Sequence, residues 1–258
     1  MLVDSHCHLD YFTEAEIEDI VARAREAGVG RMVTIGTRVA QAETVKALAG
    51  RFPDVWGTVG VHPHNAGEPE GMPTTAELVA LADHPRVIGI GECGLDYFYD
   101  KAPREAQQIG FRRHIWAARE TGLPVCIHAR QADADILSIL QEETASGGAF
   151  SFLLHCFSSG ADLARGALAM GGYLSFSGIL TFPKSPEIRA IAAEAPADRI
   201  LVETDSPYLA PVPLRGKRCE PGYVAHTAKV LAETRGLGVA EAEALTTANF
   251  FRLFPKAA

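Results

Sequence analysis

Short runs rich in Val, Ile and Leu alternate with longer amphipathic stretches from one end of the chain to the other. The apolar runs predict strands over residues 2–5, 31–36, 55–61, 87–91, 124–128, 151–155, 172–177 and 199–204, eight in all. The stretches between them carry the period of helices that bury one face. The first has Thr13 and Glu16 at capping-box spacing, sets Ile17, Ile20, Val21 and Ala24 on one side, and stops at Gly28. Another covers 103–121, with Pro103 in its first turn and Gly122 past its end. Two more, over 223–235 and 239–251, follow the last strand. Strands alternating with helices imply parallel βαβ units. Eight units predict closure into one (β/α)8 TIM barrel, a single domain over 1–258, with an open doubly wound sheet as the alternative.

Composition narrows the class. With 47% hydrophobic and 22% charged residues the chain reads as a globular enzyme. No apolar run approaches the ~20 residues that cross a bilayer, and the N-terminus lacks the basic-then-apolar pattern of a signal peptide. The five cysteines (Cys7, Cys93, Cys126, Cys156, Cys219) are scattered and form no C-x-x-C pair. They predict buried thiols in a reducing cytoplasm rather than disulfides or a cysteine zinc site. A net charge of −8 argues against a broad basic face for duplex DNA, so any polyanion must be gripped locally.

The chemistry gathers at the predicted strand ends. His6 and His8 close strand 1, two apart and so on the same side of an extended chain, with Cys7 facing away. Glu92 ends strand 4, His128 strand 5, His155 strand 6 and Asp205 strand 8. The C-terminal face is where barrels of this kind keep their active sites. Four imidazoles and two carboxylates fill two divalent sites if one carboxylate is shared. We expect His6, His8, Glu92 and Asp205 around one ion, and Glu92, His128 and His155 around the other. No lysine stands at a strand end, so the bridge falls to Glu92. Mixed nitrogen and oxygen ligands suit Zn or Mn, and Mg less readily. Such a pair polarises a substrate and activates water. Asp205 is placed to accept the water's proton, and Glu203, two residues deeper, to support a ligand.

Phosphate contacts are expected from Arg215, Lys217 and Arg218 on the loop after strand 8, and from Arg130 beside His128. A solvated loop or carboxylate pairing is the alternative for these cations. His62 and His64 either orient a phosphate or shape their His-Pro-His turn. Tyr97 either stacks on a base or packs the rim.

These stretches together resemble the TatD family of metal-dependent deoxyribonucleases. The resemblance rests on Ser5–Asp10, Gly60–His64, Gly91–Tyr97, Ile127-His128, His155–Ser158, Glu203–Leu209, and Asn249-Phe250 with Arg252–Phe254, in order over nearly the whole chain. It implies a TIM-barrel metallohydrolase with its ligands at His6, His8, Glu92, His128, His155 and Asp205. It further implies cleavage of DNA, often as a 3′–5′ exonuclease on single strands. Two positions depart from the family pattern: Cys219 stands where Asn is usual in the basic loop, and Ser159 separates Ser158 from Gly160. A small-molecule ester, amide or lactone hydrolase, or an aminoacyl-tRNA deacylase, is the competing enzyme class. A metal-binding scaffold is the non-enzymatic one.

Overall fold

In the computed structural model, which describes residues 1–68 and 72–258, eight parallel strands pair in chain order. They are β1 (Leu2–Cys7), β2 (Val29–Thr34), β3 (Val55–Val59), β4 (Val87–Asp96), β5 (Val125–Arg130), β6 (Phe152–Leu154), β7 (Tyr173–Phe176) and β8 (Ile200–Val202). A parallel bridge from Cys7 to Ser206 joins the first strand to the segment after the last. The expected (β/α)8 barrel forms, not an open sheet.

The helices are α1 (Glu14–Glu26), α2 (Ala42–Arg51), α3 (Thr75–Ala82), α4 (Arg104–Thr121), α5 (Asp133–Gly147), α6 (Ala161–Ala169), α7 (Pro186–Glu194), α8 (Val224–Arg235) and α9 (Val239–Leu253). The capping box of α1 is present, and Ile17, Ile20, Val21 and Ala24 are buried as the period requires. Pro103 sits at the cap of α4, and Gly122 ends the helix with φ +69°, a left-handed turn that glycine adopts without strain. Among the described residues no helix is long and apolar enough to cross a membrane.

Two apolar layers hold the barrel. The larger lies between strands and helices, where Ile20, Leu48, Phe111, Ile139 and Leu231 are buried. The smaller joins Val3, Val33, Ile88, Leu153 and Leu201 of the strands to Phe250 and Leu253 of α9 and to Phe254 just past its end. Thr247 of α9 also bonds to the Met1 carbonyl, which sets this helix across the strand N-termini. That end is plugged, and the opposite one is free for chemistry.

Two details of the strands aim the site. The β1–β2 register is irregular between Asp4 and Cys7. This kink lets Val3 join the inner cluster while Cys7, four residues on, joins the outer one. His6 and His8 are thereby turned inward together. Where β3 meets β4, a Cβ on Gly60 would lie 2.5 Å from the Gly91 Cα, so only glycine permits the approach that brings His62 beside Glu92.

Candidate metal centre

The strand-end residues converge at the floor of a cavity of about 950 Å³, within the range of ligand pockets. Glu92, at 2% exposure, stands at its centre and its two oxygens face different partners. Oε2 lies 3.4 Å from His6 Nε2 and 3.8 Å from His8 Nε2. Oε1 lies 2.8 Å from His155 Nε2, 3.2 Å from His128 Nδ1 and 3.3 Å from His62 Nε2. Asp205 Oδ1 completes the first group, 3.6 Å from His6 Nε2 and 3.4 Å from His8 Nε2. The expected ligands are therefore brought together, on two sides of one carboxylate.

Contacts on the far sides of the rings fix their orientation. His155 Nδ1 faces Glu203 Oε1 at 3.3 Å, and the same oxygen accepts the Cys156 N–H. Glu203 thus supports a ring, as its depth suggested. His6 Nδ1 lies 3.4 Å from Cys126 Sγ, and the His6 ring stacks on His155 with centroids 3.8 Å apart. The signal missed in the sequence is Asp96. Its Oδ2 holds Nε2 of both His128 and His64 at 2.9 Å, while Oδ1 accepts the Phe98 and Tyr99 N–H groups. The sequence ended β4 at residue 91, whereas the strand runs on through Asp96. A strand of that length sets positions 92 and 96 in one direction.

The electrostatics call for cations. Among the described residues, Glu92, Asp205 and Glu203 pair with no Lys or Arg, only with imidazoles. Burial opposes charge on Glu92, but His155 and His62 outweigh it and hold the carboxyl well below its usual range. Burial likewise opposes charge on His155, yet Glu92 and Glu203 push its imidazole well up. For His62 burial prevails and its ring falls to about 4. Both nitrogens of the raised His155 ring face carboxylates, Nδ1 toward Glu203 at 3.3 Å and Nε2 toward Glu92 at 2.8 Å, so the proton on Nε2 holds a place that a metal ion would take. Among the described residues Glu203 Oε2 and His8 Nδ1, both buried, have no hydrogen-bond partner. A tetrahedral ion about 2.0–2.1 Å from its ligands spaces them about 3.3–3.4 Å apart. The 3.3 Å separation of His6 Nε2 from His8 Nε2 fits that spacing. These donors suit divalent metal, and three groups are close enough to hold an ion: His6, His8 and Asp205; His62, Glu92 and His128; and His6, His155 and Glu203.

Three placements bear on alternatives that the sequence leaves open. His62 belongs to the ring around Glu92, because its Nδ1 accepts the His64 N–H at 3.1 Å and turns Nε2 inward. Tyr97 bonds through its hydroxyl to Asp135 and lies under the Arg104 guanidinium, off the cavity wall. Arg215, Lys217 and Arg218 do not line the cavity. Arg218 is drawn to Glu16 and the Tyr11 carbonyl, and Arg215 lies 3.8 Å over the Phe182 ring. The cations on the wall are Arg130, as expected, with Arg38 and Lys101. Cys219 is buried away from it, its backbone N–H donating to the Pro207 carbonyl.

The family model described as "TatD related DNase" matches residues 3–255. The chain is 41% identical over 259 residues to the "uncharacterized metal-dependent hydrolase YcfH" of Escherichia coli K12, covering 98% of this chain and 95% of that one. It is 38% identical to the "3'-5' ssDNA/RNA exonuclease TatD" of Cronobacter sakazakii, over 93% of this chain and 92% of that one. Among solved structures, the TatD homologue YjjV of E. coli K12 superposes with a TM-score of 0.90 at 26% identity, over 98% of each chain.

Proposed function

The chain belongs to the family of TatD-related DNases, and from that premise we propose that it is a two-metal phosphodiesterase that trims single-stranded DNA from its 3′ end. The observation that carries this is the shared position of Glu92, one oxygen toward His6 and His8, the other toward His62, His128 and His155. The name of the Cronobacter relative supports the substrate. Bound at the two groups, divalent ions such as Mn, Mg or Zn supply Lewis-acid polarisation of a phosphodiester and make water acidic near neutral pH.

The chain's own residues do the rest. Glu203 and Asp96 hold the His155 and His128 rings in one orientation, which spares the reaction their reorganisation. Asp205 keeps 16% side-chain exposure and lines the cavity, so its carboxylate is placed to take a proton from the attacking water. Burial opposes its ionisation, but His8 and His6 hold the carboxyl below its usual range, ready as a base. Arg130, Lys101 and Arg38 supply positive charge on the wall for phosphate oxygens, Arg38 shared with Glu68 at 2.9 Å. Five unpaired cysteines support a reducing, cytoplasmic setting.

Nucleotide release from a 3′-labelled single-stranded oligonucleotide, in Mg or Mn, tests the proposal, with Glu92→Ala as control. Stepwise release by the wild type alone is the expected result. No release above the control from metal-loaded protein would replace DNA with small esters or aminoacyl-tRNA.

A further inference from the structure

The rim of the cavity carries apolar surface that the metal centre does not use. Phe98 and Tyr99, on the loop between β4 and α4, are 49% and 53% exposed. Exposed aromatics beside a polar cleft point to a ligand with flat faces. The Arg130 guanidinium lies 4.4 Å from the Phe98 ring centre and 5.1 Å from that of Tyr99. Lys101 stands 5.5 Å from the Tyr99 ring. Aromatic faces interleaved with cations are what successive bases and phosphates of a single strand recognise.

The group is built rather than loose. Both aromatic residues give their backbone N–H to Asp96 Oδ1, at 3.1 and 2.9 Å. The other oxygen of that carboxylate holds His128. One buried side chain therefore fixes the platform relative to the reacting centre. Arg130 also lines a second cleft of about 560 Å³, with Gln131, Ser158, Ser159 and Gly160. It adjoins the main cavity at Ala129, Arg130, Ser158 and Ile179, and runs between the loops after β5 and β6.

We propose that Phe98, Tyr99 and Arg130 form a subsite for the nucleotide next to the cleaved bond on the polymer side. Its base stacks on the aromatic pair, its phosphate meets Arg130, and the strand leaves along the Ser158–Gly160 cleft. This rests on the phosphodiesterase proposal for the substrate class, and it names where a second nucleotide sits and which way the polymer runs.

The test is equilibrium binding of a phosphorothioate-linked hexathymidylate, which resists hydrolysis, to metal-loaded protein, with thymidine 5′-monophosphate as the short probe. Phe98→Ala should weaken the hexamer about ten-fold and leave its salt dependence intact, while Phe98→Trp restores affinity. Arg130→Ala should lower the slope of log affinity against log salt by about 0.7, the value of one phosphate on a single strand. Ser159→Trp should block the hexamer and spare the monophosphate. Hexamer affinity unchanged in Phe98→Ala, or hexamer and monophosphate weakened equally, would overturn the subsite. So would unchanged binding with altered sedimentation, which would make the aromatics a contact between copies. A hexamer that binds through Phe98 but whose phosphodiester parent is never cleaved would leave the subsite standing and remove the nuclease activity. Cleavage with no dependence on Phe98 would do the reverse.

Discussion

Asp96 Oδ2 lies 2.9 Å from His128 Nε2, and the other nitrogen of that ring lies 3.2 Å from Glu92. The imidazole is strung between two carboxylates, one that shares the metal side and one that sets its direction. Asp96→Asn keeps the side-chain shape and an acceptor for the Phe98 and Tyr99 N–H groups, but weakens the hold on His128. Metal affinity should fall about 10–100-fold, the usual cost of losing such support. Competition with a chromophoric chelator measures it, and wild-type affinity in the variant would show that His128 needs no orienting partner.

Glu92→Ala removes the side chain whose two oxygens face both ligand groups. Turnover should be lost while the fold survives, because no core volume goes with it. Far-UV circular dichroism and metal content separate the two effects. Wild-type turnover in this variant would rule out the shared carboxylate.

Arg218→Ala should leave oligonucleotide affinity and its salt slope near wild type. The side chain is engaged with Glu16, an exposed pair that solvent screens and that adds little to stability. A drop in salt slope would mean that Arg218 leaves Glu16 to meet phosphate.

His114 predicts a pH effect on stability. The Val61 N–H donates to its Nε2 at 2.9 Å, and Nδ1 lies 2.7 Å from the Gly110 carbonyl, so the ring is held neutral. Burial lowers it from 6.5 to about 4. The unfolded chain takes up the proton first as pH falls. The contribution is therefore complete above about pH 6.5 and lost by about pH 4, a total of about 3 kcal/mol. Urea midpoints of wild type and His114→Gln, measured across that window without metal, should converge as the pH drops. Parallel curves would contradict a neutral His114.

The barrel and its ligand ring were legible because both rest on local rules. A strand period of two turns His6 and His8 to one side, and strand ends in a parallel barrel share one face. The register irregularity before Cys7 is invisible in the sequence, yet the pair keeps its common direction across it. Asp96 was hidden because the apolar run of strand 4 ends at residue 91, whereas β4 continues to Asp96 with Gly94 at a φ of +129°. The basic loop misled for a different reason. Arg218 and Glu16 lie 202 residues apart, and nothing local tells such a cation whether its partner is substrate or protein. The aromatic rim followed from neither pattern, since its placement depends on Asp96.

The barrel is closed where Asp4 accepts from Thr204, and where the Asp205 N–H meets the His6 carbonyl, across 200 residues of chain. His6 and His8 are translated first and Asp205 after every other member of the group, so a nascent chain lacks this carboxylate throughout most of its synthesis. A product that stops short of Asp205 lacks both the seam and one wall of the site. The seam and the last carboxylate of the site are thus completed together, only once translation has passed the eighth strand.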